Sequence, residues 1–319
     1  MSFSVIFAII AGIAILFLAI YATMRFVNTG KDIVYVEAAK SIDNYLGNLV
    51  TGIAEGVSRE VSFRKETRVF FNCSYPSPAD GIPFGKEIIG FSEKSGIGDE
   101  WYDSKTRISR NNKFIFANEI LQGKDIHIFI KPFYMGFKVD DLIMMSSQNY
   151  CFASNNMPAN IQNDIENLNM ENVVVSGSCV IGTENITVCF GNSGCDITVT
   201  DYSGTDSYEI GSVAKPGEET VKYVGNLLYG AIFSSPEVYK CNVARLGVKT
   251  AELANVYYKK ISIVGGKCPS TIGDQYLRTL EAGFDESNLI GIYQTAKTMD
   301  SINEGAMCKI YPGETYGNI

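Results

Sequence analysis

The chain has 319 residues, 46% of them apolar and 12% aromatic, which excludes a disordered chain, a collagen and a coiled-coil rod. Asp and Glu number 35 against 27 Lys and Arg, a formal net charge of -8, so no overall basic field holds phosphate backbones and no nucleic-acid partner is expected. His127 is the single histidine, which removes every mechanism or metal site that needs two of them in one chain.

The first predicted element is a membrane helix. Phe3 to Met24 carries no charge, and at 1.5 Å per residue it reaches ~33 Å, enough to cross a hydrocarbon core of ~30 Å. A cleaved secretory signal needs a basic segment in front and a shorter apolar core; here only Met1 and Ser2 precede the run and the first basic residue is Arg25. The expectation is therefore a retained anchor with membrane lipid as its partner. Ala11, Gly12 and Ala14 are small enough for a neighbouring helix to approach closely, which makes self-association through this segment the second expected partnership.

After the anchor, Val27, Val34, Ala38, Ile42, Leu46, Leu49 and Ile53 recur at helical spacing and predict an amphipathic continuation. Gly30, Gly47 and Gly52 each cost about 1 kcal/mol in a helix interior and mark places for a bend. A continuous helix from Phe3 to Ile53 would be ~75 Å long.

Two signals compete over the side of the membrane on which the bulk lies. Arg25 and Lys31 follow the apolar run, and the positive-inside rule alone would put the bulk in the cytoplasm. Against them stand eight cysteines, all beyond the anchor: Cys73, Cys151, Cys179, Cys189, Cys195, Cys241, Cys268 and Cys308. They form no CxxC pair, so disulfides on an oxidising, extracytoplasmic face are the expectation. Asn72-Cys73-Ser74 and Asn185-Ile186-Thr187 are glycosylation sequons of the kind used on that face, making Asn72 and Asn185 candidate acceptors.

Residues 61 to 215 read as β-rich. Ile126, Ile128 and Ile130 alternate with His127, Phe129 and Lys131; after Pro132, Phe133, Met135, Phe137 and Val139 continue the period of two. Shorter predicted strands are Val69 to Asn72, Glu87 to Phe91, Lys113 to Ala117, Val173 to Val175, Cys179 to Ile181, Ile186 to Phe190 and Ile197 to Thr200. Turns at Gly182 to Asn185 and at Ser203-Gly204 would make hairpins, the first of them placing Cys179 near Cys189; Cys189 with Cys195 is the other local pairing. Five cysteines lie in this part and three beyond it, so complete pairing requires at least one bridge between the two parts.

Residues 216 to 319 read as mainly helical and packed on the β-rich part, giving an α+β chain with an anchor region over 1 to 60. Ser235-Pro236-Glu237 combines a capping residue, a proline at the first helical position and an acid in the first turn, and opens a helix to about Lys260 with Val243, Leu246, Leu253 and Tyr257 on one face. A short helix is predicted around Gly273 to Ala282 and a longer one from Ser287, marked by Leu289, Tyr293, Ala296 and Met299. Val221 to Phe233 is apolar, but it is short and contains Lys222, so it is not read as a second crossing.

Motifs for chemistry are sparse, and the expectation is a protein that is not an enzyme, with no cofactor, no metal and no catalytic residues. The Gly-Lys pairs lack the earlier glycine of a phosphate loop, and no GxSxG occurs. Ser62-Phe63-Arg64-Lys65 matches SxxK without the accompanying KTG. His127 reads as a structural or solvent-side histidine, Asp140-Asp141 as a solvated turn, and Trp101 with Tyr102 as the edge of a core.

The uncharged apolar helix leading through an amphipathic stripe into a β-rich head resembles the layout of type IV pilin-like proteins. The stretches Lys131-Pro132-Phe133 to Ile143 and Glu237-Val238-Tyr239-Lys240-Cys241-Asn242-Val243-Ala244-Arg245-Leu246 resemble uncharacterised archaeal single-span membrane proteins, a resemblance that implies no activity. Taken with the cysteines and the sequons, they imply a cell-surface glycoprotein: a pilin-like subunit of a surface filament or secretion assembly, anchored by one span with its bulk extracytoplasmic. The alternative is an anchored extracytoplasmic hydrolase or carbohydrate-binding module, which a cleft holding converged acids would favour.

Overall fold

The computed structural model describes residues 7, 10–23, 58–94, 101–182, 184–191, 194–264, 272–306 and 308–312. The amphipathic stripe from Val27 to Ile53, Cys268 and residues 3–6, 8–9 and 24 of the predicted span lie outside them.

The first helix, α1, is described over residues 10–23. Ala11 is half-buried, while every residue from Gly12 to Thr23, Ala14 included, is exposed. Phe17 and Leu18 present about two thirds of their surface, at 68% and 67%. Among the described residues no helix is long and apolar enough to cross a membrane.

The rest is α+β, with two six-stranded sheets and helices. The first sheet contains β1 (Ser58–Ser74), β2 (Lys86–Lys94), β3 (Trp101–Arg110), β4 (Phe114–Phe116), β5 (Ile120–Tyr134) and β6 (Lys138–Ser146), in the order β3-β2-β1-β5-β6-β4. All its pairs are antiparallel except β4 with β6. Its two edge strands, β3 and β4, are joined only by Asn111, Asn112 and Lys113. At most ~3.6 Å per residue separates their ends, so the sheet curls until its edges approach.

The concave face collects Val69, Ile89, Phe91, Ile115, Ile126, Ile128 and Ile143, each 0% exposed, into a core of the sheet's own. The convex face carries Phe114, Phe116, Phe129, Phe133, Leu142 and Met144 into the main core. Along β4 and the second half of β5 both faces are therefore buried, whereas His127 itself is half-buried and Gln122 and Lys124 are exposed. Phe129 and Lys131 are 1% and 5% exposed.

The second sheet contains β7 (Asn149–Ala153), β8 (Val173–Ser176), β9 (Asn185–Phe190), β10 (Ile197–Asp201), β11 (Ile210–Ala214) and β12 (Val221–Val224), in the order β12-β11-β10-β9-β7-β8. β8, β7, β9 and β10 run parallel, and β10, β11 and β12 antiparallel. The crossover from β7 to β8 is made by α2 (Ala159–Asn167).

Two expectations fail in this region. The hairpin at Gly182 to Asn185 is absent because β9 leaves β8 and pairs with β7 and β10. Cys179 to Ile181 is turn rather than strand, with Val180 and Ile181 exposed, because the chain turns back after β8 to bridge Cys179 to Cys151. β12 is the one described strand beyond residue 215, in a part that is otherwise mainly helical. The Ser203-Gly204 hairpin between β10 and β11 does form.

The strand predicted through Phe133 to Val139 breaks into two. β5 runs through Pro132, which stands opposite Asp141, and the chain reverses at Met135 to Phe137, where the Met135 amide donates to the Phe137 carbonyl at 2.9 Å. Gly136 takes φ +77, and a Cβ there would lie 2.7 Å from the Met299 methyl. The turn is covered by a helix, so its flanking residues are apolar and mimic a strand in sequence.

Helices α3 (Leu227–Phe233), α4 (Pro236–Val264), α5 (Arg278–Leu280) and α6 (Leu289–Gly305) complete the fold, with a π-helical segment, Ile272–Leu277, leading into α5. α4 opens at the predicted Pro236, and Val243 and Leu246 are fully buried. Leu289, Tyr293, Ala296 and Met299 line the buried face of α6 as expected. The main core takes residues from both sheets and from these helices.

Candidate functional site

The end of β1 and the start of α4 are locked together. Cys73 bridges Cys241 with a Cα–Cα distance of 6.0 Å across a sequence separation of 168, so one bridge does join the two parts of the chain. A loop of that size corresponds to roughly 5 kcal/mol in the chain-entropy account of disulfide stabilisation. Cys241, Asn242 and Arg245 are spaced one turn or less apart and share a face of α4.

Behind the bridge that face carries a buried polar cluster. Arg245, 0% exposed, donates from Nη1 to Glu87 Oε2 at 3.3 Å and to Asn242 Oδ1 at 2.7 Å. Its Nη2 donates to the Asn111 carbonyl at 3.0 Å, and its Nε to the Phe84 carbonyl at 3.2 Å. Asn242 Nδ2 donates to the Ile115 carbonyl at 2.8 Å. One helix thus gathers β2, β4 and the β3–β4 link, the points at which the curled sheet closes.

Glu87 is 0% exposed, and its Oε1 is a buried oxygen with no hydrogen-bond partner. Desolvation pushes its carboxyl up to about 8, against the opposing pull of Arg245 and the Asn242 hydrogen bond. Burial likewise lowers Arg245, which still remains a cation given its ordinary value above 12.

In front of the bridge is an open cleft of about 230 Å³ lined by Phe71, Asn72, Cys73, Tyr75, Glu119, Glu237 and Val238. Glu119, from the β4–β5 link, and Glu237, from the first turn of α4, bring two exposed carboxylates to it. Tyr75 leaves 53% of its surface exposed, and desolvation raises its phenol, while Lys240, itself paired with Glu219, opposes that rise. The cleft is smaller than the ~300–1,000 Å³ of drug-sized ligand sites and suits one small polar group.

The other expected residues are dispersed. Cys151 bridges Cys179 at a Cα–Cα distance of 5.7 Å, and of the two local candidate pairings for Cys189 the one found is with Cys195, at 5.9 Å. Cys308 is also disulfide-bonded. Asn72 is exposed, whereas Asn185 is half-buried. Ala11, Gly12 and Ala14 lie on α1, far in sequence from the cleft, and a Cβ on Gly12 would meet nothing within 4 Å.

Ser62 and Lys65 sit on strand β1, where Ser62 donates to Glu60, so the one-turn helical relation that SxxK needs is missing. His127 Nδ1 lies 3.7 Å from Glu60 Oε2. Asp140 and Asp141 are on strand β6, not in a turn, and point to different partners, Lys249 at 2.5 Å and Lys138 at 2.7 Å. Trp101 is half-buried under the Arg68 guanidinium, 3.9 Å from its ring centre. Among the described residues no group of three His, Cys, Asp or Glu is placed to hold a metal ion.

Sequence reasoning missed the Glu87–Asn242–Arg245 cluster and the cleft, because acids, an arginine and an asparagine in isolation read as solvated. Only the Ser235-Pro236-Glu237 helix start, with the cysteine behind it, pointed to this corner of the fold. Comparison with family models, with curated proteins and with solved structures returns no match to this chain.

Proposed function

We propose that the chain is a membrane-anchored, extracytoplasmic structural or interaction protein, a pilin-like subunit of a surface filament or secretion assembly. The observation that carries this reading is α1: an uncharged helix whose residues from Gly12 to Thr23 are all exposed, attached to a body held by disulfides. A helix with large apolar side chains at 60% exposure or more, such as Leu16, Phe17 and Leu18, gains free energy only by entering lipid or packing on other helices. Bridges such as Cys73–Cys241 form and persist in oxidising compartments, which supports the extracytoplasmic side.

Thr205 is exposed on the β10–β11 loop and suits a topology probe. A cysteine introduced there reacts with an impermeant thiol reagent on intact cells; labelling only after lysis would overturn the orientation.

The cleft favours a second reading, an anchored carbohydrate-binding module or hydrolase, since it sets Glu119, Glu237 and the Tyr75 ring around one space. Carboxylates accepting from sugar hydroxyls beside an aromatic face are suited to saccharides. Loss of saccharide binding on Glu119→Ala and Glu237→Ala supports it; equal binding by those variants removes it.

A further inference from the structure

We propose that Asn72 carries an N-linked saccharide, attached before the Cys73–Cys241 bridge closes, with its first sugar ring seated in the cleft against Tyr75. The inference rests on the extracytoplasmic reading and adds to it a modified residue, an order of events and a place for the sugar.

The two sequons differ in the fold. Asn72 is exposed near the end of β1 and forms part of the cleft wall. Asn185 is half-buried at the start of β9, opposite Asn149 of β7, in the interior of the second sheet. The third residue of that sequon, Thr187, is 0% exposed, and its hydroxyl donates to Asp196 Oδ2 at 2.7 Å while accepting from the Asp196 amide at 3.0 Å. The folded chain has room for a sugar at Asn72 and a completed hydrogen-bond network at the other sequon.

The middle residue of the Asn72 sequon is Cys73, and its partner is made 168 residues later. At roughly 5–20 residues per second, that leaves about 10–30 s in which the sequon is not yet bridged. In the finished fold Asn72 is held opposite Ile88 of β2, and a bridge leaves the adjacent residue, which restricts the backbone a transferase must bend. Attachment therefore precedes closure.

The donor is a lipid-phosphate-linked saccharide and the catalyst a membrane transferase. The Asn72 amide nitrogen bonds to the anomeric carbon, the bond from that carbon to the phosphate oxygen breaks, the phosphate leaves with the electron pair, and one amide proton passes to a base of the transferase. No oxidant or reductant is consumed. The 230 Å³ cleft then offers the first ring one aromatic face, Tyr75, and two acceptors for its hydroxyls, Glu119 and Glu237.

The test is intact-mass and peptide mapping of the full chain from the cells that make it, with the disulfides mapped in the same sample. A saccharide on the peptide containing Asn72, absent in Asn72→Gln and Ser74→Ala, present in Ser74→Thr and unaffected by Asn185→Gln, is the expected result. Occupancy in Cys241→Ser should equal that of the parent, and this remains readable if the variant misfolds because attachment comes first; a several-fold rise would overturn the order proposed. Slower enzymatic release from the native chain than from the denatured one, with the difference lost in Tyr75→Ala, reports the seating, and equal release overturns it. Intact bridges with a bare Asn72 would sink the proposal and leave the location standing, whereas free thiols throughout would sink the location itself.

Discussion

The Glu87 carboxyl meets the Arg245 guanidinium at 3.3 Å with both side chains fully out of solvent, at the point where helix α4 seals the curled sheet. Removing Glu87 would leave the buried Arg245 cation without this acceptor, at a cost of about 3–5 kcal/mol, so the contact fixes which face of α4 turns inward. Phe114, whose ring centre is 4.9 Å from the Arg245 guanidinium, closes the cluster from the sheet side.

Stability should fall with rising pH because of Glu87. Its carboxyl is raised from 4.5 to about 8 by burial, so the folded chain holds a proton there that the unfolded chain has released. The contribution is fully present below the unfolded value and is lost as pH rises through the folded one, up to a few kcal/mol between pH 5 and 8. Urea midpoints at pH 5 and 7 check this, and Glu87→Gln should flatten the slope. Lys215, lowered to about 8 by burial, acts with the opposite sign above that pH, so the comparison belongs below it.

Replacing Cys241 with Ser should lower stability by roughly 5 kcal/mol through the long loop it closes, far more than removal of the Cys189–Cys195 bridge, whose separation is only 6. Denaturant unfolding of the two variants in mild detergent gives the ranking. A larger loss for the short bridge would refute the loop-entropy argument.

Gly247 should not tolerate a side chain. A Cβ there would lie 1.9 Å from the Phe284 carbonyl oxygen and 2.7 Å from its amide nitrogen, so Gly247→Ala must push α4 away from the link before α6. A loss of about 1–3 kcal/mol is expected. Gly291→Ala, on α6 with open space around it, should instead be neutral or stabilising, and the pair of melting curves separates packing from helix propensity.

What sequence could reveal follows from which interactions are local. The α4 start at Pro236 and the α6 stripe of Leu289, Tyr293, Ala296 and Met299 depend on residues within a few turns, and both are found. β9 and β10 were identifiable as strands, but their parallel pairing across a link of six residues was not, since parallel neighbours usually need a crossover of a dozen or more. Here the Cys189–Cys195 bridge and Asp196, which accepts from the Thr187 amide at 2.8 Å, hold the chain back beside itself. The candidate site was hidden for the same reason: Asn72, Glu119 and Glu237 meet only after β1 and α4 are brought together.

Assembly through α1 is the remaining expectation, and its test can be kept apart from folding. A Cβ on Gly12 meets nothing within 4 Å in the single chain, so Gly12→Leu leaves the body of the protein untouched and any effect reads out on contacts with other molecules. If neighbouring helices pack at Ala11, Gly12 and Ala14, the added isobutyl group separates their backbones and assembly falls. Leu18, 67% exposed and large already, is the control: Leu18→Ile changes shape but not bulk and should be tolerated. Single cysteines placed along residues 10–23 should crosslink between chains with a period near 3.6. Uniform absence of crosslinks, with a monomer recovered in mild detergent and Gly12→Leu behaving as the parent, would leave α1 as a tether and remove the filament subunit reading.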